Sequence, residues 1–233
     1  MLLEQNQSLC YNIFVNSIII LKKIAEKECR HQHELHIKLL LLEREINMNK
    51  KKIVFVSHCI INTASKVMKY NEDIDTQEES VRKQFLMESI ENNIHFIQLP
   101  CPEFTLYGSN RWGHTKDQFD NPFFRDHCKN ILTPIIQQMR EYYKEKDKFE
   151  ILGIVGINGS PSCGVTFTCN GKWGGEFSGN KNIIATLQTI QKKQDKGVMF
   201  EILEEMLIKE KMDIKIIGLN PLDPHELFEL IRV

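Results

Sequence analysis

Three of the seven cysteines stand in motifs that are unlike ordinary core sequence. Cys59 lies in Ser-His-Cys-Ile-Ile-Asn, Cys101 in Leu-Pro-Cys-Pro-Glu, and Cys163 in Ser-Pro-Ser-Cys-Gly. A cysteine thiolate can ligate zinc or an iron–sulfur cluster, and it can also serve as a nucleophile or redox group. The motifs therefore mark these three thiols as candidates for metal or thiol chemistry.

Each of these cysteines follows a segment that is predicted to form a buried strand. Strands are predicted, from apolar and β-branched runs, at Lys52–Val56, His95–Leu99, Glu150–Ile157 and Asp213–Leu219. Helical segments alternate with them, which indicates a parallel sheet with helices on both faces. Because the carboxyl ends of parallel strands share one edge, where ligands bind, we expect Cys59, Cys101 and Cys163 to converge there.

Helix starts between the strands complete the predicted fold. They are a capping box at Thr76–Glu79, opening a helix to about Asn92, and further starts at Asn121-Pro122, Gly197 and Asp223–Glu226. Pro134 is expected to kink the second of these helices. The fold class predicted is α/β: a Rossmann-like three-layer sandwich with a mostly parallel sheet, preceded by an N-terminal helical extension.

Residues 1–47 differ in character from the rest because they contain no glycine and no proline. We predict a helical extension over 1–47 that need not belong to the native domain, and an α/β domain over 48–233. Within the extension, Cys29, His31, His33 and His36 do not all fall on one helix face, so a polar helix surface is favoured over a metal site. The paired helices would suit a dimer.

Three convergent thiolates would form a metal-binding set with one ligand fewer than usual. A closed zinc site and a cubane iron–sulfur cluster each normally take four protein ligands. Three cysteines would leave one metal position open, where a substrate can bind a Lewis acid. A thiol redox site and three packed core cysteines remain the alternatives at this point. The remaining cysteines, Cys10, Cys29, Cys128 and Cys169, do not share the strand-end placement, and burial as small hydrophobic residues explains them equally well.

Cys-Pro-Glu and Ser-Pro-Ser-Cys-Gly, in this order after successive strands, resemble the signatures of the thiouracil desulfurase family of small iron–sulfur desulfidases. The resemblance covers about Lys51 to Val165. It implies a [4Fe-4S] cluster held by Cys59, Cys101 and Cys163, with the substrate sulfur taken by the iron that no cysteine ligates. It also implies that Glu103 and Ser160 assist the reaction.

The chain departs from the family pattern in two places. No second cysteine follows Cys59 closely, and no glycine pair follows the Cys-Pro-Glu motif. The sequence is therefore similar to a divergent branch of that family. We expect the cluster to be retained despite both changes, whereas the particular substrate does not carry over.

A substrate pocket is predicted from residues near the three motifs and from two loops. Its members are Ser162, Asn62, Arg111, Trp112 and Trp173. Aromatic rings and an arginine could stack on a planar heterocycle, although the loops could equally pack on their own aromatic residues. The glycines form neither a dinucleotide fingerprint nor a phosphate-binding loop, so a nucleotide site is excluded.

The function predicted is that of a [4Fe-4S]-dependent, non-redox desulfidase, a hydrolase or lyase that cleaves a C–S bond in a small thiocarbonyl compound. A non-catalytic iron–sulfur sensor or binding module and a zinc-dependent hydrolase are the alternatives. A net charge of −1 gives no basic face for nucleic acid. No apolar run approaches the ~18 residues of a membrane span, and no secretory signal is recognised, so a cytoplasmic protein with reduced thiols is expected.

Overall fold

The computed structural model describes residues 50–68, 72–172 and 174–232; of residues 72–75 it describes the backbone alone. The predicted helical extension, its Cys29 and histidine cluster, Cys10 and Trp173 lie outside the described residues. Residues Lys51–Val233 form a compact unit. The division into an extension over 1–47 and a domain over 48–233 stays a prediction.

Strands and helices alternate along the described chain. The strands are β1 (Lys51–Val56), β2 (Ile94–Gln98), β3 (Phe149–Ile157), β4 (Thr168–Asn170), β5 (Gln191–Lys193) and β6 (Ile216–Leu219). The helices are α1 (His58–Ile61), α2 (Glu72–Glu91), α3 (Pro102–Tyr107), α4 (Lys116–Phe119), α5 (Pro122–Lys144), α6 (Ile183–Leu187), α7 (Val198–Lys209) and α8 (His225–Glu229). Within the described part of the chain, no helix has the length and apolarity needed to cross a membrane.

The central sheet has the order β2-β1-β3-β6, and all of its strand pairs are parallel. Side chains alternate between its two faces. Phe55 on one face packs into a core that α5 and α7 cover, whereas Val54 and Val56 on the other face pack with residues of α2 and α8. This alternation follows from the two-residue period of a strand. The predicted α/β sandwich with a mostly parallel sheet is therefore confirmed.

Some predicted boundaries were wrong. Helix α2 begins at Glu72, so Thr76 lies inside it rather than at a cap, and the preceding residues contain no glycine or proline that would stop the helix earlier. Strand β6 begins at Ile216, because the Asp213 amide donates to the Tyr143 hydroxyl at 3.2 Å instead of joining the ladder. Pro224, not Asp223, caps α8, and no side chain bonds to that helix start.

A small second sheet was not predicted. Strand β4 lies within the predicted loop that carries Trp173, and it pairs antiparallel with β5, which follows α6. Three-residue strands give too short an alternation to distinguish them from loop sequence. This second sheet matters for the site because β4 follows the Cys163 motif and carries Cys169.

A charged cluster joins α4 and α5 to the start of α7. Lys116, which is 5% exposed, pairs with Asp195 at 2.8 Å and with Glu201. Arg125 bonds the same Glu201 and also Asp120. The hydrogen bond from Lys116 lowers the pKa of Asp195 to about 2.

This ion pair should contribute to stability against acid. The folded-state pKa of Asp195 lies below its ordinary value of 3.8, so its contribution is present above that value and is lost as pH falls toward 2. Between about pH 5 and pH 2 the wild type loses this contribution to its unfolding free energy, whereas Asp195→Asn does not have it to lose. The total loss over that range should therefore be smaller by roughly 1–2 kcal/mol in Asp195→Asn. Chemical denaturation at several pH values measures the unfolding free energy of both proteins. Asp126→Asn, with a side chain that is 73% exposed, is the control, and an unchanged pH slope in Asp195→Asn would contradict the assignment.

Candidate active site

The three motif cysteines follow the carboxyl ends of three neighbouring strands. Val56 pairs with Gln98 on one side and Val155 on the other, so β1, β2 and β3 end side by side. Cys59 lies in α1, directly after β1. Cys101 precedes α3 and caps it, and Cys163 lies in the turn after β3, where its carbonyl accepts a bond from the Ile157 amide at 2.9 Å. Strand register thus brings together residues far apart in sequence.

The three thiols interact electrostatically. Cys59 and Cys101 share a side-chain hydrogen bond, which is the main cause of a lowered pKa at Cys59 and a raised pKa at Cys101. Burial raises the pKa of Cys163 to about 12, and charge on Cys101 raises it further. Charge on Cys163 in turn raises the pKa of Cys59, against the stronger lowering by the hydrogen bond. The thiols are therefore close enough for the charge of one to affect the others.

Polar groups lie beside each of these sulfurs. The Ser65 hydroxyl lies 3.6 Å from the Cys59 sulfur, the Phe104 amide donates to Cys101 at 3.4 Å, and the Ser162 hydroxyl lies 3.4 Å from Cys163. The single protons of the two hydroxyls go elsewhere, because Ser65 donates to the Asn62 carbonyl at 3.3 Å and Ser162 donates to the Glu103 carboxylate at 2.6 Å. The Phe104 amide is therefore the group among these three that favours a negatively charged sulfur.

A buried serine, Ser57, also lies beside one of the three sulfurs. Its side chain is 1% exposed, and its hydroxyl forms no well-aligned hydrogen bond although it lies beside the sulfur of Cys163. A buried hydroxyl without a partner is costly, and a thiolate at Cys163 would supply the missing acceptor. The donor set therefore fits a metal centre bound through deprotonated cysteines.

The described residues contain no preassembled metal site. Among them, no group of three or more histidine, cysteine, aspartate or glutamate side chains is arranged to hold a metal ion. The nature of a centre bound by the three motif cysteines therefore stays a prediction.

Glu103 lies in the first turn of α3, two residues after Cys101. One carboxylate oxygen accepts a hydrogen bond from the Ser162 hydroxyl at 2.6 Å, and the other lies 3.4 Å from the Nε of Arg111. The Glu103 side chain is 12% exposed. A largely buried carboxylate with two partners is held in one orientation, at the same sheet edge as the three cysteines.

The two serines of the Ser-Pro-Ser-Cys turn make different hydrogen bonds. The Ser160 hydroxyl accepts from the Cys163 amide at 3.0 Å, which fixes the turn, and lies 3.3 Å from the Ser162 hydroxyl. Ser162 is the serine that contacts Glu103. The family resemblance implies that Ser160 assists the reaction, and Ser162 is predicted to line the pocket. In the structure, Ser162 bonds the carboxylate.

Gly197 supports this turn and was missed as a site residue. The amides of Val198 and Met199 donate to the carbonyls of Pro161 and Ser162 at 3.0 Å each, so the start of α7 lies directly on the turn. A Cβ at Gly197 would fall 2.4 Å from the carbonyl carbon of Ser162. Glycine immediately before a helix was visible in the sequence as a start signal, but the close approach was not.

The other predicted pocket residues do not gather around Glu103 as Ser162 does. Asn62 is exposed, and its side-chain oxygen accepts from the Ala64 amide at 3.0 Å. Trp112 is 69% exposed and contacts the ring of Phe177 at 5.6 Å between centroids. Arg111 is buried among protein groups. Their roles in binding a substrate stay predictions.

Two further cysteines flank the site without joining it. Cys128 is fully buried in the core on α5, and burial raises its pKa to about 12. Cys169, on β4, donates from its thiol to the His114 carbonyl at 3.6 Å, and burial raises its pKa to about 11. Each has a structural environment that accounts for it.

The segment that carries this site matches a known family. The model of the family described as "Putative 2-thiouracil desulfurase" matches residues 51–180, which is more than half of the chain. The protein belongs to the 2-thiouracil desulfurase family. The resemblance that the cysteine motifs indicated is thereby confirmed. The matched segment of this family member begins with β1, ends after β4 and contains all three motif cysteines and Glu103.

A curated relative extends the comparison without adding an activity. "Uncharacterized protein MJ0003" of Methanocaldococcus jannaschii is 36% identical over 118 residues, which are 51% of this chain and 70% of that protein. No solved structure matches this chain.

Proposed function

We propose that this member of the 2-thiouracil desulfurase family is a desulfidase that removes sulfur from a small thiocarbonyl compound with the help of a [4Fe-4S] cluster. The observation that carries the proposal is the placement of Cys59, Cys101 and Cys163 at one sheet edge together with Glu103, all inside the segment that matches the family. The Phe104 amide, which donates to the Cys101 sulfur at 3.4 Å, adds support from the chain itself.

Cys59, Cys101 and Cys163 would hold the cluster. When bound, it supplies an iron without a cysteine ligand, a Lewis acid for the thiocarbonyl sulfur. The buried hydroxyl of Ser57 and the Phe104 amide would stabilise the charged sulfurs of Cys163 and Cys101.

Glu103 would serve as the general acid–base group. Its carboxylate takes a proton from water as the water oxygen bonds to the thiocarbonyl carbon, and it returns that proton to the sulfur. It then takes the second proton from the new oxygen, as the carbonyl forms and the C–S bond breaks, and passes it to the departing sulfur. The net change replaces sulfur by oxygen: thiocarbonyl and water give carbonyl and hydrogen sulfide. Ser162 donates to the Glu103 carboxylate at 2.6 Å and would hold it in place, and Ser160 would fix the turn or orient the water.

The substrate class follows from this chemistry. A thiolated heterocycle presents a thiocarbonyl sulfur and a planar ring, which Trp112 and Trp173 could contact, with Asn62 nearby in the proposed pocket. All five cysteines in the described residues are free, and unpaired thiols suit the reducing cytoplasm.

Anaerobic reconstitution with iron and sulfide, followed by incubation with 2-thiouracil and a panel of thiolated heterocycles, tests the proposal. The expected result is broad visible absorbance of an iron–sulfur cluster together with release of sulfide in excess of the enzyme. A cluster without sulfide release from any thiocarbonyl would favour the sensor or binding module. Turnover by iron-free protein loaded with zinc would favour the zinc hydrolase.

A further inference from the structure

Arg111 is nearly withdrawn from solvent, since its side chain is 4% exposed. Its three guanidinium nitrogens each contact a different protein group. Nε lies 3.4 Å from a carboxylate oxygen of Glu103, one terminal nitrogen donates to the Gly108 carbonyl at 3.0 Å, and the other donates to the Ser65 carbonyl at 2.6 Å. Three of the five N–H donors of the guanidinium are thus engaged by protein groups.

These contacts form part of a series of hydrogen bonds that connects all three cysteine-bearing segments. Ser65 follows α1, Arg111 and Glu103 follow β2, and Ser162 follows β3. The sequence of bonds is the Ser65 carbonyl, the Arg111 guanidinium, the Glu103 carboxylate and the Ser162 hydroxyl. Ser65 and Ser162 also place their hydroxyls beside the sulfurs of Cys59 and Cys163, at 3.6 and 3.4 Å.

We propose that Arg111 is a positioning residue, which fixes the Glu103 carboxylate toward Ser162 and locks the segment after β1 to the segment after β2. This inference deepens the proposed function and rests on it. Arg111 would act through Glu103 and would not contact the substrate.

The choice of arginine follows from the geometry. Among the described residues, Arg111 is the one cationic side chain within ion-pair distance of Glu103. A buried carboxylate is costly without such a partner. The planar fork of a guanidinium directs separate nitrogens at three acceptors on two segments, whereas a lysine ammonium is a single compact charge.

The experiment compares Arg111→Gln, Arg111→Lys, Glu103→Gln and the double variant Arg111→Gln/Glu103→Gln. We expect Arg111→Gln to retain cluster absorbance and KM within about twofold, while kcat for sulfide release falls roughly 10- to 100-fold. Arg111→Lys should restore part of that loss. The double variant should be no slower than Glu103→Gln alone, because Arg111 acts only through the carboxylate.

Different outcomes would overturn the inference. A raised KM with unchanged kcat would place Arg111 in substrate binding, and additive losses in the double variant would make its role independent of Glu103. Arg125→Gln, which removes an ion-paired arginine outside the site, is the matched control and should leave kcat unchanged.

A second measurement needs no activity and so separates this inference from the proposed function. Unfolding free energies of the cluster-free wild type, the two Gln variants and the double variant form a cycle. A contact between Arg111 and Glu103 predicts that the two losses are not additive. Additive losses would contradict the contact. Non-additive losses in a protein that releases no sulfide would retain the contact and reject the desulfidase.

Discussion

Replacing Cys59, Cys101 or Cys163 with alanine, one at a time, should abolish stable binding of the iron–sulfur cluster. The three residues are proposed as its only protein ligands, so each removal leaves two. Loss of a residue that merely supports a ligand already lowers metal affinity by about 10- to 100-fold, and loss of a ligand should exceed that. Iron and acid-labile sulfide, quantified after anaerobic reconstitution and desalting, measure the effect.

Two cysteines of the same chain serve as matched controls. Cys169→Ala removes a thiol that bonds a backbone carbonyl beside the site, and it should retain the full cluster content. Cys128→Ala removes a fully buried thiol of the core, so it should lower thermal stability without lowering iron per folded protein. Full cluster content in Cys163→Ala would refute the ligand assignment, as would its loss in Cys169→Ala.

The second large effect is expected from Glu103→Gln, which should keep the cluster and lose sulfide release by roughly 10²–10⁴-fold. Glutamine keeps the size and polarity of glutamate but cannot exchange a proton. Its amide oxygen can still accept from Ser162 or from Arg111, so the turn should keep its shape. Steady-state sulfide release and visible absorbance, measured on the same preparation, separate the two properties.

The control for this substitution is Glu79→Gln, because Glu79 is a carboxylate ion-paired with Arg82 and outside the site. It should leave turnover unchanged. Wild-type turnover by Glu103→Gln would show that the carboxylate is structural. Loss of cluster absorbance in Glu103→Gln would instead mean that it supports the Cys101 segment, and the acid–base assignment would fail.

The convergence of the cysteines could be predicted because it depends on local patterns. Apolar β-branched runs such as Lys52–Val56 indicate strands, and strand–helix alternation makes neighbouring strands parallel. Parallel strands then end at one edge, whatever the loops between them do. Glu103 could be predicted for a similar reason, since its distance from Cys101 along the chain is only two residues.

The partners of Glu103 could not be predicted in the same way. Ser162 is 59 residues from Glu103, and Ser65 is 46 residues from Arg111. Such contacts depend on the path of each loop, which no periodicity encodes. The same limit explains why Ser160 was assigned to the reaction while Ser162 makes the contact. The side chain that faces the carboxylate depends on the turn that α7 packs against.

Residue type and short-range spacing are enough to predict the α/β class, the three cysteine motifs at strand ends and the family to which they belong. The burial of Arg111, the bond between Glu103 and Ser162, and the packing of α7 at Gly197 onto the Cys163 turn are visible only in the folded chain. The physical reason is that these contacts join distant segments, and burial and close packing select among arrangements that local pattern permits equally.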